Sequence, residues 1–307
     1  MHYLIFILAL TGLLLAANFF TESAETIGKY LGLPPFVVGV FIVGIGTSLP
    51  ELIAGIISVK NQSSEILTGN IIGANISNIL LITGLAVVIN KKNILLNSGH
   101  MYIDLNYLIG SFLFFYIISY DGHIGFTESF FGLLMFIIYS VYLIKGETQD
   151  TNKKQKEKKS IPLVSLIILT ICAIGIYFGA DFTISSLEKI AIDLSIPKSI
   201  VGLTLLSLGT TLPELAVIVS AIRQGKAEMA IGNILGSCIF NTLVIPAIAS
   251  IFGRISVPDN LIQFSLPVMA ACGLLFYLLT QDKKISVWEG LMFICLYGLF
   301  IFETAKG

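Results

Sequence analysis

Two stretches of the sequence match at a constant offset of 163 residues. Gly46-Thr47-Ser48-Leu49-Pro50-Glu51 matches Gly209-Thr210-Thr211-Leu212-Pro213-Glu214. Gly69-Asn70-Ile71-Ile72-Gly73 matches Gly232-Asn233-Ile234-Leu235-Gly236, and Asn78 matches Asn241. The register extends outward without a gap, from Ala17-Asn18-Phe19 on Ala180-Asp181-Phe182 through Glu25 on Glu188 and Pro34 on Pro197. A fold for this chain must therefore hold two copies of one unit, and the segments between the matches decide how the copies are oriented.

Those segments are apolar runs. A helix needs about 20 apolar residues to cross a bilayer's hydrocarbon layer. Ten runs approach that length: 3–20, 36–59, 67–89, 103–119, 126–144, 162–181, 199–222, 228–252, 261–280 and 286–304. They are continuous rather than alternating, which predicts helices and not barrel strands. Only 12% of residues are charged, against roughly 25% in soluble domains. With a mean hydropathy of +0.91, this excludes a soluble or disordered chain. A net charge of −1 with no basic domain argues against nucleic-acid binding. The first run resembles a signal peptide in length, but no Lys or Arg precedes it and it has a partner in the second half, so it is read as a retained span. Cys172, Cys238, Cys272 and Cys295 stand alone in apolar runs and are read as packing residues.

The expected fold class is an all-α polytopic membrane protein of ten transmembrane helices, five in 1–144 and five in 162–307. A hydrophilic linker over 145–161 joins them, and the matching α-repeats lie at about 36–89 and 199–252. Five is odd, so the second unit enters the membrane from the side opposite the first, and the repeats are inverted. Such repeats place a binding site at their interface near the midplane. The linker, with six lysines from Lys145 to Lys159, is assigned to the cytoplasm. Alternation then leaves only Lys60, Lys189, Lys198, Arg254 and Lys306 on the other side, out of 18 Lys and Arg. Both termini are therefore expected outside, in a multi-pass protein of the cell membrane.

Of the 19 acids, Glu51 and Glu214 lie near the middle of spans. A carboxylate there costs roughly 3 kcal/mol or more on insertion scales, so a residue of this kind is a candidate for function. Pro50 and Pro213 lack an N–H and clash with the carbonyl four residues back, at Gly46 and Gly209. The helix is expected to kink or open there, freeing backbone oxygens just before the Glu. Thr47, Ser48, Thr210 and Thr211 add hydroxyls, and hard cations are bound by oxygen. Asn78 and Asn241 could hold an ion, a water or a carboxylate. Asn70 and Asn233, beside glycines, are expected to bond backbone at the break, and Asn75 has Cys238 as its match. No nucleophile–base pair or metalloprotease motif appears, and two inverted halves in one chain do not resemble a channel's symmetric ring.

These residues resemble the cation/calcium exchanger superfamily, especially prokaryotic sodium/calcium exchangers. Its paired motifs read here GTSLPE with GNIIGANISN and GTTLPE with GNILGSCIFN. The resemblance covers essentially the whole chain and implies Na⁺ and Ca²⁺ as transported ions, with no cofactor. It implies Glu51 and Glu214 as central cation ligands, with Thr47 and Thr210 beside them. Ser48, Thr211 and Ser237 would line flanking Na⁺ sites, the carbonyls of Gly44 and Ser207 would add backbone ligands, and Asn78 and Asn241 would complete the middle. It further implies that spans 1 and 6 slide across the core. Two positions depart from the pattern. Ala74 stands where the first motif usually has Ser, which puts one Na⁺ site in question. Asn241 stands where potassium-dependent relatives have Asp, which matches the potassium-independent type.

Charge predicts the mechanism independently. Two ionised glutamates give an empty site of −2 that crosses the membrane poorly, one Ca²⁺ neutralises it, and two or three Na⁺ bring it to zero or +1. Exchange rather than leak follows. A buried carboxylate can also carry a proton, so Ca²⁺/H⁺ antiport is the alternative. One chain holds both repeats, so an oligomer is not required.

Overall fold

The structure is a computed structural model that describes residues 2–91, 93–95, 101–147, 162–193 and 198–304. The side chains of 101, 102, 145–147, 187, 188, 191, 192 and 198–210 lie outside the description, as does most of the hydrophilic linker, 148–161. Each apolar run is a helix: α1 His2–Leu31, α2 Pro35–Lys60, α3 Glu65–Asn90, α4 Met101–Ile118, α5 Phe126–Glu147, α6 Leu163–Asp193, α7 Lys198–Arg223, α8 Ala227–Phe252, α9 Leu261–Asp282 and α10 Val287–Thr304. They form two inverted five-helix repeats, α1–α5 and α6–α10.

α1 and α6 overrun the apolar runs that announced them. At 30 residues and 1.5 Å per residue, α1 is about 45 Å long, more than the roughly 30 Å hydrocarbon layer. The extension holds because the buried stripe continues at helical spacing through Leu13, Ala17, Phe20, Ala24 and Ile27. Polar residues in the extension bond back along the helix: Thr21 Oγ1 donates to the Ala17 carbonyl (2.8 Å) and Thr26 Oγ1 to that of Glu22 (2.9 Å).

Burial separates centre from rim. In the most apolar window of each helix, 89% of α8 and 83% of α3 is buried, against 17% of α6 and α10. α3 and α8 are therefore the axis of the bundle. The rim helices turn large apolar side chains outward, among them Leu8, Phe131, Ile171 and Phe302, as a lipid solvent requires. Cys172, Cys238 and Cys272 are buried, whereas Cys295 is exposed on α10. α1 and α6 form a distinct layer: Leu13, Ala17 and Phe20 pack with Cys172, Ile176 and Ala180, and this cluster rests on Val38, Val43 and Ala216 of the core.

Two short antiparallel ladders join the repeats. Strand β1 (Ile94–Leu95), between α3 and α4, pairs with β4 (Lys284–Ile285), between α9 and α10. Strand β2 (His123–Ile124), between α4 and α5, pairs with β3 (Ile255–Ser256), between α8 and α9. Connections can pair only if they emerge on the same side, so the ladders require the alternation that an inverted repeat predicts. α5 and α10 then start alike, with Glu128 accepting from the Gly125 N–H (2.7 Å) and Glu289 from the Ser286 N–H (2.6 Å). This is one half of a capping box, completed at α10 by the Glu289 N–H donating to Ser286 Oγ (3.3 Å), and it places both acids at helix starts.

The motif glycines fix the spacing of α2 and α8. A Cβ on Gly232 would lie 2.2 Å from the Phe36 carbonyl oxygen, one on Gly39 2.2 Å from that of Met229, and one on Gly236 2.6 Å from the Val40 Cα. The two backbones touch along this seam, which small residues permit.

Candidate functional site

α2 is not uniformly α-helical. Gly39–Gly44 forms a π-helical turn, and the α-helix resumes from Ile45 to Lys60 with Pro50 inside it. The expected opening therefore lies one turn earlier than Pro50 suggested. The backbone recovers regular geometry around the proline, while the wide turn leaves the Gly44 carbonyl accessible to side chains. α3 has a second such turn over Ser77–Ile82, where the hydroxyl of Thr83 donates to the Asn78 carbonyl (3.0 Å). Single π turns inside α-helices are frequent at functional sites. In α7 the helix runs through Pro213 without interruption.

The Gly44 carbonyl enters a cluster of four oxygens. The hydroxyls of Thr47 and Ser237 each lie 3.3 Å from it, and they lie 3.3 and 3.2 Å from the Asn233 Oδ1. Two hydroxyl protons are thus shared among four long contacts, beyond the usual 2.7–2.8 Å or so of an O–H···O bond. Asn233 corrects the sequence expectation that it bonds backbone: its side-chain oxygen binds across two helices. It belongs to the candidate oxygen cluster, a place for which the sequence had favoured a backbone partner, although its match with Asn70 across the repeat was a signal of the same kind as the paired Glu.

Glu51 and Glu214 are 4% and 2% exposed, and each has an Oε2 with no hydrogen-bond partner. They are electrostatic neighbours. The buried Oδ1 atoms of Asn78 and Asn241 and the buried Ser48 Oγ are likewise unpartnered. Orphaned oxygens of this kind cost about 1–3 kcal/mol each, and a cation offsets that cost by supplying the missing positive partner. The donor set is entirely oxygen, which fits a hard cation. Ca²⁺ takes about 6–8 such ligands.

Of the remaining candidates, Thr211 is buried and receives the Ser77 hydroxyl at 3.3 Å. Thr210 and Ser207 lie on α7, with side chains outside the described residues. Asn75 donates to Met269 Sδ (3.7 Å) on α9.

Access differs between the two sides. A cleft of about 660 Å³ reaches Glu51 and is lined, among the described residues, by Asn70, Pro213, Ile57 and by Tyr177 and Asp181 of α6. It runs toward the α2–α3 and α6–α7 connections. On the opposite side α1 is fastened to the end of α7. Asn18 Oδ1 accepts from Gln224 Nε2 (2.7 Å) and Ser220 Oγ (3.1 Å), and Glu25 pairs with Lys226 (2.7 Å). The sequence match of Asn18 is Asp181, which lines the open cleft instead.

Comparison with known proteins agrees with this geometry. The family model described as sodium/calcium exchanger protein matches residues 1–145 and 164–304. A sodium/calcium exchanger of Methanosarcina acetivorans is 30% identical, covering 98% of this chain and 97% of its own. An uncharacterized membrane protein of Methanocaldococcus jannaschii is also 30% identical over 98% of this chain and 97% of that one. A solved structure of the sodium-calcium exchanger NCX_Mj, soaked without Na⁺ or Ca²⁺, superposes with a TM-score of 0.83 at 29% identity, covering 98% and 97% of the two chains. With paired acidic signatures on inverted repeats and a match along nearly its whole length, the chain belongs to the sodium/calcium exchanger protein family, a family of transporters.

Proposed function

We propose that this protein is an antiporter that exchanges Na⁺ for Ca²⁺ across the cell membrane by alternating access, with net movement of charge and without K⁺. The observation that carries the reading is the pair of buried carboxylates, one from each repeat, with unpartnered oxygens beside a cluster of hydroxyl, carbonyl and amide oxygens. Glu51 and Glu214 are the central ligands, and Thr47 and Thr210 flank them. Ser48, Thr211 and Ser237 serve the Na⁺ positions, the carbonyls of Gly44 and Ser207 add backbone ligands, and Asn78 and Asn241 close the middle. The repeats span 1–144 and 162–307, with the linker 145–161 in the cytoplasm and both termini outside. A single chain contains the complete site.

The chemistry follows from charge. Two carboxylates in a poorly hydrated site repel strongly, so the empty site stays accessible to one side until cations enter. If three Na⁺ move against one Ca²⁺, one net charge crosses per cycle, and a membrane potential biases direction by about 2.3 kcal/mol per 100 mV. Proteoliposomes loaded with Na⁺ should take up Ca²⁺ when diluted into Na⁺-free buffer. Those loaded with K⁺ or choline should not, and adding K⁺ should leave the rate unchanged. Uptake driven by a proton gradient alone would overturn the counter-ion and make the chain a Ca²⁺/H⁺ antiporter.

The fastening of α1 makes a second expectation. Asn18→Leu removes the bonds from Ser220 and Gln224, each worth about 0.5–1.5 kcal/mol net. Together that is about 1–3 kcal/mol, so opening on the α1–α2 side becomes easier by roughly five- to 150-fold. In oriented vesicles the half-saturating Ca²⁺ concentration should fall on that side and rise on the cleft side. Equal values for Asn18→Leu and wild type on both sides would show that these bonds do not set the resting state.

A further inference from the structure

The Ser237 hydroxyl has no match in the first repeat. Ser237 on α8 bridges the Gly44 carbonyl and Asn233, whereas its match on α3 is Ala74, 4% exposed and without a side-chain oxygen. Three residues further, Ser77 is fully buried, and its hydroxyl donates to the Thr211 hydroxyl at 3.3 Å. In a helix, positions three apart share a face, one turn along. The match of Ser77 on α8 is Phe240, whose ring packs edge-on against Phe136 at 5.9 Å. Packing therefore does not call for a hydroxyl at this position, and burying one without a good partner is unfavourable. The 3.3 Å bond to Thr211 is long for two hydroxyls, and Ser77 keeps the α-helical register of Ala74, its N–H still bonding the Gly73 carbonyl at the start of the π-helical turn Ser77–Ile82.

We propose that Ser77 supplies, one turn along α3, the hydroxyl that Ala74 lacks, and that Ser77 and Thr211 together line the Na⁺ position of the first repeat. Ser77 is then a Na⁺ ligand rather than a packing residue. The two halves bind Na⁺ with equivalent numbers of hydroxyls placed at non-equivalent positions. This assignment rests on the Na⁺/Ca²⁺ reading above.

The test compares wild type, Ser77→Ala and the double variant Ala74→Ser/Ser77→Ala in proteoliposomes. Two quantities are measured: the internal Na⁺ concentration that half-activates Ca²⁺ uptake, and the rate of Na⁺-free Ca²⁺/Ca²⁺ exchange. Loss of one hydroxyl ligand should raise the half-activating Na⁺ about tenfold in Ser77→Ala. Ca²⁺/Ca²⁺ exchange should stay within about twofold of wild type, since the carboxylates are untouched. The double variant should recover the wild-type Na⁺ curve. If Ser77→Ala does not yield folded protein, Ser77→Cys keeps the volume and should show the same selective shift. A Na⁺ curve unchanged by either variant overturns the assignment, as does an equal loss of both activities that Ala74→Ser does not restore. A wild-type protein insensitive to Na⁺ would instead sink the exchanger reading itself, which separates the two failures.

Discussion

Replacing Glu51 or Glu214 by Gln is expected to abolish Na⁺-driven Ca²⁺ uptake while leaving the protein folded. Truncating one member of a buried, hydrogen-bonded charge interaction costs about 2–5 kcal/mol or more. For a transported Ca²⁺ that is roughly a 30- to several-thousand-fold loss of affinity. The stability change has the opposite sign. In the ion-free protein the two carboxylates are buried, interact electrostatically and are imperfectly paired, and an amide of the same shape removes one buried charge. Thermal unfolding in detergent without Ca²⁺ should therefore occur at the same or a higher temperature for Glu51→Gln. Wild type should gain about 2.7 kcal/mol at a Ca²⁺ concentration 100 times its dissociation constant, and Glu51→Gln should gain less than about 1 kcal/mol at that concentration. A Glu51→Gln protein with normal uptake, or with an undiminished Ca²⁺-dependent shift, would remove Glu51 from the site.

The seam between α2 and α8 should be the next most sensitive feature. A methyl group on Gly232 or Gly236 meets backbone atoms at 2.2 and 2.6 Å, and backbone cannot swing aside as a side chain can. The helices must separate, with an overpacking cost of about 1–3 kcal/mol or more against a total stability of about 5–15 kcal/mol. Gly232→Ala and Gly236→Ala should lower the unfolding temperature and weaken Na⁺ activation together, because Gly44, Asn233 and Ser237 sit on the same seam. Gly12→Ala is the control, since a Cβ there meets nothing within 4 Å. Alanine is up to about 1 kcal/mol the better helix former, so Gly12→Ala should be neutral or stabilising. Equal effects at Gly12 and Gly232 would show that helix propensity, not the seam, sets these glycines' importance.

The ten helices were legible because a lipid solvent demands long apolar runs, and counting such runs needs no tertiary information. Their ends were less so. Hydropathy stops at residue 20, but the buried stripe through Ala24 and Ile27 carries α1 to Leu31, and only periodicity sees that. The paired Glu were legible as charges in apolar surroundings. Asn233 was not, because an amide beside glycine fits a backbone partner equally well until the facing helix is known. The opening of α2 was misplaced to Pro50, since proline marks where a bond is lost but not where the helix widens to absorb it, and the π turn of α3 was not anticipated. Ser77 left no mark at all: it matches a phenylalanine, and its significance depends on Thr211 lying across from it.

The two ladders have a geometric consequence. β1 follows α3 as β3 follows α8, and β2 precedes α5 as β4 precedes α10. Exchanging the two halves therefore turns the β1–β4 ladder into the β3–β2 ladder. Among the described residues, each pairing is made between halves. A single half-length chain inserted into a bilayer twice, once in each direction, would form both ladders from one sequence, closing an isologous dimer with no unpaired strand left at either surface. The covalent linker between the halves is then a convenience of stoichiometry, guaranteeing one copy of each orientation.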